Sequence, residues 1–183
     1  MSNLFDNLRF IDRQLLFLLH QTYRESTFWQ GFFDFFSRFG VAIIALSLIY
    51  LIVRIRINAV FSALMSLIFS TTFSFIIYIF WQRPSPIATF FQSGEVMQNL
   101  SSFPSGPTSF SFAIAITILL YGHKKLGPIL ILISTLVGIS ETAIGSGYPS
   151  DVIAGIIIGV ASGILAKFTT ESFEHFWRHN SAE

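Results

Sequence analysis

Three polar islands interrupt an otherwise apolar chain, and they hold the residues whose types could do chemistry. They are Gln82-Arg83-Pro84-Ser85-Pro86, Ser101-Ser102-Phe103-Pro104-Ser105-Gly106-Pro107 and the longer run from Ser140 to Asp151. Arg83 offers a cation and Glu141 and Asp151 offer carboxylates, while Ser105 and Ser146 offer hydroxyls. An Arg beside helix starts, whose free backbone N–H groups point outward, suits a phosphate-type anion. The chain has no Cys, so thiolate metal sites, disulfides and Cys nucleophiles are excluded. Four His remain for nucleophilic or metal work: His20, His123, His175 and His179. No HExxH motif appears, since His175 and His179 share its spacing but Phe176 stands where its Glu would, and no metal or other cofactor is expected.

These islands must be positioned by membrane helices. Of 183 residues, 52% are hydrophobic and 11% charged, against about a quarter charged in a soluble domain. That balance reads as an integral all-α membrane protein. The 22 Phe are expected as packing and lipid-facing bulk, and a net charge of +1 with no basic tract argues against a nucleic-acid partner. Asp6, Arg9, Asp12 and Arg13 interrupt the N-terminal apolar residues, so this end does not read as a cleavable signal.

Leu4, Phe5, Leu8, Ile11, Leu15, Leu16 and Leu19 recur at helical spacing, which predicts an amphipathic helix at the membrane interface. An aromatic approach follows over residues 27–37. Five spans are then predicted: Phe36 to Val53, Ala59 to Trp81, Pro107 to Tyr121, Leu126 to Gly145 and Val152 to Phe168. The second, 23 residues without a charge, covers roughly 35 Å at 1.5 Å per residue, enough to cross the hydrocarbon. Arg54 and Arg56, Lys124 and Lys125, and Lys167 and Arg178 all fall on one side, the cytoplasm by the positive-inside rule. Arg9, Arg13, Arg24 and Arg38 run against that rule if the first helix does not span. The islands then share the extracytoplasmic side. One membrane domain over 1–183 is expected, with interfacial helices over 1–38, a transmembrane core over 39–168 and a cytoplasmic tail over 169–183. Gly155, Gly159 and Gly163 form a four-residue stripe that admits a close helix neighbour. Packing inside the bundle is its expected use, with a homodimer or protein partner as the alternative.

The islands resemble the three motifs of the type 2 phosphatidic acid phosphatase (PAP2) family. Arg83-Pro84 resembles the end of its first motif, and Phe103-Pro104-Ser105-Gly106, with Pro107, resembles its second, Pro-Ser-Gly-His. Gly147-Tyr148-Pro149-Ser150-Asp151 resembles the His-Tyr-Pro-x-Asp of its third. Order and spacing agree over residues 76–155, and the layout is similar to small bacterial members that act on undecaprenyl diphosphate. The resemblance implies a PAP2-like helical bundle in a bacterial plasma membrane and a membrane lipid phosphate as partner. It also implies where the chemistry should stand. The family's nucleophilic His falls at Gly147, its proton-donating His at Pro107, its third-motif Arg at Glu141 and its first-motif Lys at Ile76. Arg83 and Asp151 are the charged members that remain.

Gly147 has no side chain to attack phosphorus, and Pro107 has no proton to give, though Pro suits a first helical turn. Glu141 reverses a phosphate-holding charge. A like-charge contact near 4 Å costs roughly 4 kcal/mol at an effective dielectric of about 20. No catalytic residue is therefore expected. Arg83, Ser105, Gly106 and Asp151 are the expected residual phosphate or lipid-headgroup site, and Glu141 is expected to pair with Arg83. The leading reading is a PAP2-fold protein that binds a lipid or partner without hydrolysis. Its competitor is an active lipid phosphatase with a rebuilt site, taking Ser146, Ser105 or water as nucleophile and Glu141 or Asp151 as base. A transporter is a third reading, disfavoured because no charge lies deep in the bundle.

Overall fold

A computed structural model describes residues 2–53, 57–91 and 101–180, with side chains from residue 6 to residue 174. Among these residues six α-helices carry the fold: α1 (Ser2–Glu25), α2 (Thr27–Val53), α3 (Ile57–Phe80), α4 (Gly106–Leu120), α5 (Leu126–Ala143) and α6 (Pro149–Asn180). A π-helical turn, Ile87–Phe91, lies between α3 and α4. Among the described residues no strand forms, and one antiparallel bridge joins Pro84 to Ser101. α2, α3, α5 and α6 are long and apolar enough to cross a membrane, and α4 is a shorter apolar helix. Arg54 and Arg56, which entered the sequence reading, lie outside the described residues.

Local chemistry explains the helix ends. Ser26 is the one non-helical residue between α1 and α2, and its Oγ accepts the Trp29 N–H at 3.4 Å, the N-cap role of a Ser. α2 therefore starts at Thr27 and runs unbroken through the aromatic segment, nine residues before the predicted start of the span. Asp34 and Arg38 lower the hydropathy of this stretch without breaking a helix. Pro107 and Pro149 sit in the first turns of α4 and α6, where a missing N–H is no loss. After α5, Gly145 takes φ +86°, and the Glu141 carbonyl accepts both the Ser146 and the Gly147 N–H at 2.9 and 3.3 Å. This closes the C-terminus of α5 within the third island.

α4 packs most extensively on α6. A Cβ at Gly155 would meet the Ser105 carbonyl at 2.7 Å, one at Gly159 the Ser109 carbonyl at 2.5 Å, and one at Gly163 the Ala113 carbonyl at 3.0 Å. The glycine stripe is thus consumed inside the chain by the α4 backbone. The alternative of a homodimer or partner through Gly155, Gly159 and Gly163 is corrected, because no free face remains there. Ile44, Leu51, Ala59, Ile114, Ala115, Ile118 and Leu130 form the apolar core away from the islands. Outward residues such as Ile52, Phe75, Phe80, Ile153 and Ile157 are exposed, as lipid-facing positions are.

α1 buries one narrow row. Asp12 and Leu16 are buried, while Leu8, Ile11, Leu15 and Leu18 are exposed together with Arg9, Arg13 and Gln14. A buried carboxylate needs partners within.

Candidate functional site

Backbone hydrogen bonds stitch the three islands together. The Ser102 N–H donates to the Arg83 carbonyl at 2.8 Å, and the Arg83 N–H donates to Ser101 Oγ at 2.9 Å. The Ser105 N–H donates to the Asp151 carbonyl at 3.1 Å, and the Ile87 N–H donates to the Gly145 carbonyl at 2.9 Å. Turns far apart in sequence therefore share one rigid frame at one end of the bundle.

Arg83 stands at its centre. Nη1 donates to Ser150 Oγ at 2.7 Å and to Asp151 Oδ1 at 2.8 Å, and Nη2 donates to Asp12 Oδ2 at 2.8 Å. Its guanidinium carbon lies 3.6 Å from the centroid of the Tyr148 ring, a cation–π contact. Asp151 Oδ2 also accepts the Tyr148 N–H at 2.9 Å. Tyr148 is the residue before α6, so Asp151 reaches back over its own helix start as the acidic member of a capping box does.

The remaining capping position is filled from a distance. Asp12 Oδ1 accepts the Ser150 N–H and Asp12 Oδ2 accepts the Ser150 hydroxyl, both at 2.8 Å. Its carboxylate thus accepts a helix N-terminal N–H, a hydroxyl and an Arg prong together. Asp12 is 8% exposed, Asp151 0% and Arg83 26%, so this is an ion-pair network largely out of water. One cation and two carboxylates leave it formally one negative charge in excess.

The inner row of α1 continues at four-residue steps. Leu16 is fully buried. His20 Nδ1 lies 2.9 Å from the Ala143 carbonyl, and the His20 ring stacks on Phe91 with centroids 3.8 Å apart. α1 therefore folds back across the third island, which sequence reasoning did not foresee. His20 does not reach the Asp12–Arg83 cluster. It stands eight residues from Asp12, about 12 Å along the helix, and attack needs reacting atoms about 3–3.5 Å apart.

The expected Arg83–Glu141 pair is corrected. Glu141 accepts the Ser37 hydroxyl at 2.8 Å, and Arg83 is taken by Asp12 and Asp151. Glu141 sits on the face of α5 that meets α2, whereas Arg83 faces α1 and the start of α6. Of the expected residual site, Arg83 and Asp151 meet. The Ser105 hydroxyl is instead 2.8 Å from Thr108 Oγ1, buried inside the first turn of α4. Gly106 opens α4. Ile76 is 47% exposed on α3. At Gly147 a Cβ would find nothing nearer than Asp151 Oδ2 at 3.7 Å, so a side chain has room there, directed toward Asp151. Among the described residues no group of three or more His, Asp or Glu could hold a metal ion. Asp12 and Ser150 were missed. Their only signals were the four-residue row of Asp12, Leu16 and His20 within an apolar helix, and the place of Ser150 in the first turn after Pro149.

Comparisons with known proteins fit this geometry. Residues 59–172, more than half of the chain, match the model of the PAP2 superfamily. The chain is 40% identical over 77 residues to the bacitracin transport permease protein BcrC of Bacillus licheniformis, covering 41% of this chain and 37% of that protein. It is 34% identical over 65 residues to the undecaprenyl-diphosphatase BcrC of Bacillus subtilis (strain 168), covering 36% and 33% respectively. The match spans only about a third of each of these relatives. The crystal structure of Aquifex aeolicus LpxE superposes with a TM-score of 0.69 at 27% identity, over 84% of this chain and 92% of that one. With its motif segments joined in one frame and its helices matched over that length, this integral membrane chain belongs to the PAP2 superfamily.

Proposed function

We propose that this chain is a PAP2 protein that binds a phosphate-bearing membrane lipid at the Arg83 site without hydrolysing it. The observation that carries the reading is the pairing of an intact frame with empty chemistry. Gly147 points a vacant Cβ direction at Asp151, and Pro107, in the first turn of α4, has no proton to give. The Arg83 prongs and the Ser150 N–H, which here donate to Asp12 and Asp151, are donors that suit a phosphate oxygen. A lipid phosphate as ligand is supported by the relative named undecaprenyl-diphosphatase. The whole chain is read as one membrane domain in a bacterial plasma membrane, with the site extracytoplasmic. Lys124 and Lys125 support this orientation, following α4 at the end opposite the frame.

A second reading, a hydrolase with a rebuilt site, is favoured by one observation. The Ser150 hydroxyl lies 2.8 Å from the Asp12 carboxylate and 2.7 Å from Arg83, the arrangement of a nucleophile with a base and a cation. The Ser105 hydroxyl is spent on Thr108 and Glu141 on Ser37, which leaves Ser146 or water as the other nucleophile and Asp151 as the other base among the earlier candidates. Phosphate release from undecaprenyl diphosphate and phosphatidic acid decides between the two. The binding reading expects background release. Release that disappears in both Arg83→Ala and Ser150→Ala would overturn it. The combined variant Ile76→Lys, Pro107→His, Glu141→Arg and Gly147→His is expected to bring activity only partway, because Ile76 lies on an exposed face.

A further inference from the structure

We propose that Asp12 is a built-in stand-in for the ligand's anionic group, so that α1 plugs the anion site and a phosphate enters by displacing it. The inference rests on the reading of the Arg83 site as a phosphate-binding site. All three partners of the Asp12 carboxylate are donors: the Ser150 N–H, the Ser150 hydroxyl and Arg83 Nη2, each at 2.8 Å. A phosphate oxygen pair has the same needs. The two anions cannot share the donors, since both would accept from the same three groups.

The plug is held along one narrow row. Asp12 and Leu16 are the buried residues among the described side chains of α1, and from Asp6 to Leu18 every other side chain is exposed, Arg9, Arg13 and Gln14 as well as Leu8, Ile11 and Leu15. Beyond the Asp12 contacts, α1 is held by buried Leu16, by His20 on Ala143 and Phe91, by Phe17 against Phe90 and Phe91, by Arg13 over Phe90, and by the Tyr23 hydroxyl on Asp34. Ser26 is the one break before α2. Asp12 stands 14 residues from it, about 21 Å along the helix, so a rotation of roughly 15° about Ser26 moves the carboxylate about 5 Å. That distance vacates the three donors while the C-terminal end of α1 stays anchored beside Ser26.

The test uses the full chain in nanodiscs of phosphatidylcholine with or without phosphatidic acid, and in detergent with inorganic phosphate. Asp12→Asn keeps the size of the side chain and removes its charge. It is expected to bind phosphatidic acid at least about tenfold more tightly than the parent chain. The chain has no Cys, so a Leu16→Cys variant with Asp12 intact reports on the plug through maleimide labelling of its single thiol. Labelling is expected to rise when phosphatidic acid is present and stay low in phosphatidylcholine alone. A rise with inorganic phosphate as well identifies free phosphate as a sufficient displacer. A rise with the lipid alone identifies the headgroup, and either supports the plug. Equal or weaker binding by Asp12→Asn, with binding lost in Arg83→Gln, overturns the plug and leaves the anion site standing. So does unchanged thiol reactivity of the Leu16→Cys variant at saturating phosphatidic acid, which holds even if Asp12→Asn fails to fold. Failure of both the parent chain and Asp12→Asn to bind phosphatidic acid or phosphate overturns the phosphate-site reading itself.

Discussion

At the scale of single residues, Arg83 decides whether two carboxylates can stay out of water. It gives one prong to Asp12 and the other to Asp151, and its guanidinium carbon sits over the Tyr148 ring. Breaking a buried pair by removing one partner costs about 3–5 kcal/mol, because the other charge is stranded. Arg83→Ala is expected to lose that amount in denaturant melts in a fixed detergent. Adding Asp12→Asn is expected to recover part of it, since only Asp151 then remains unpaired. Arg83→Lys keeps the charge but cannot fork or stack, so its melt should lie well below that of the parent chain. A Lys variant as stable as the parent would mean that charge alone holds the cluster. Glu141 teaches the complementary lesson. Its carboxylate has a partner in Ser37 and none in the Arg83 cluster, so Glu141→Gln should leave the Arg83 contacts and any phosphate binding unchanged.

Among the elements, the α4–α6 pair fixes the frame. α6 lays three glycines along the α4 backbone, and the Ser105–Asp151 hydrogen bond sits at the end of that seam. Gly159→Ala places a Cβ 2.5 Å from the Ser109 carbonyl, and backbone cannot step aside as a flexible side chain can. The helices must part, at a cost of about 1–3 kcal/mol. Gly31→Ala in α2 is the control, with nothing within 4 Å of its Cβ. That change is expected to be neutral or to stabilise by up to about 1 kcal/mol through helix propensity. A Gly159→Ala melt indistinguishable from the parent chain would show that the seam is looser than these distances require.

For the whole molecule, the prediction concerns sides. The island frame lies at one end of the bundle, and the α4–α5 turn with Lys124 and Lys125 lies at the other. Gln82 and Lys125 are both exposed. The single variants Gln82→Cys and Lys125→Cys are therefore expected to react with an impermeant maleimide from opposite faces of the membrane. In intact bacterial cells the Gln82→Cys variant should label and the Lys125→Cys variant should not. The reverse pattern would put the site in the cytoplasm and overturn the orientation drawn from the Lys and Arg residues.

The helices and the frame were legible in the sequence because local chemistry sets them. Span ends follow from runs of apolar residues, and α3, α4 and α5 begin and end within about two residues of their predicted bounds. The islands were legible because Arg, Pro, Gly and Asp at motif spacing have few other uses between membrane helices. α2 starts earlier and α6 runs further than expected, to Asn180, since a helix persists through polar residues that lower hydropathy. The charge partners were not legible. Arg83 could pair with Glu141, Asp151 or any acid brought near it, and sequence distance does not rank them. The fold-back of α1 ranks them, carrying Asp12 across 138 positions to Ser150 and leaving Glu141 to Ser37. Residue types and motif spacing were enough to identify the segments that the PAP2 fold joins, Arg83-Pro84, Phe103 to Pro107 and Ser140 to Asp151. What surrounds Arg83 was settled by packing, because a buried cation takes the carboxylates that the fold delivers to it.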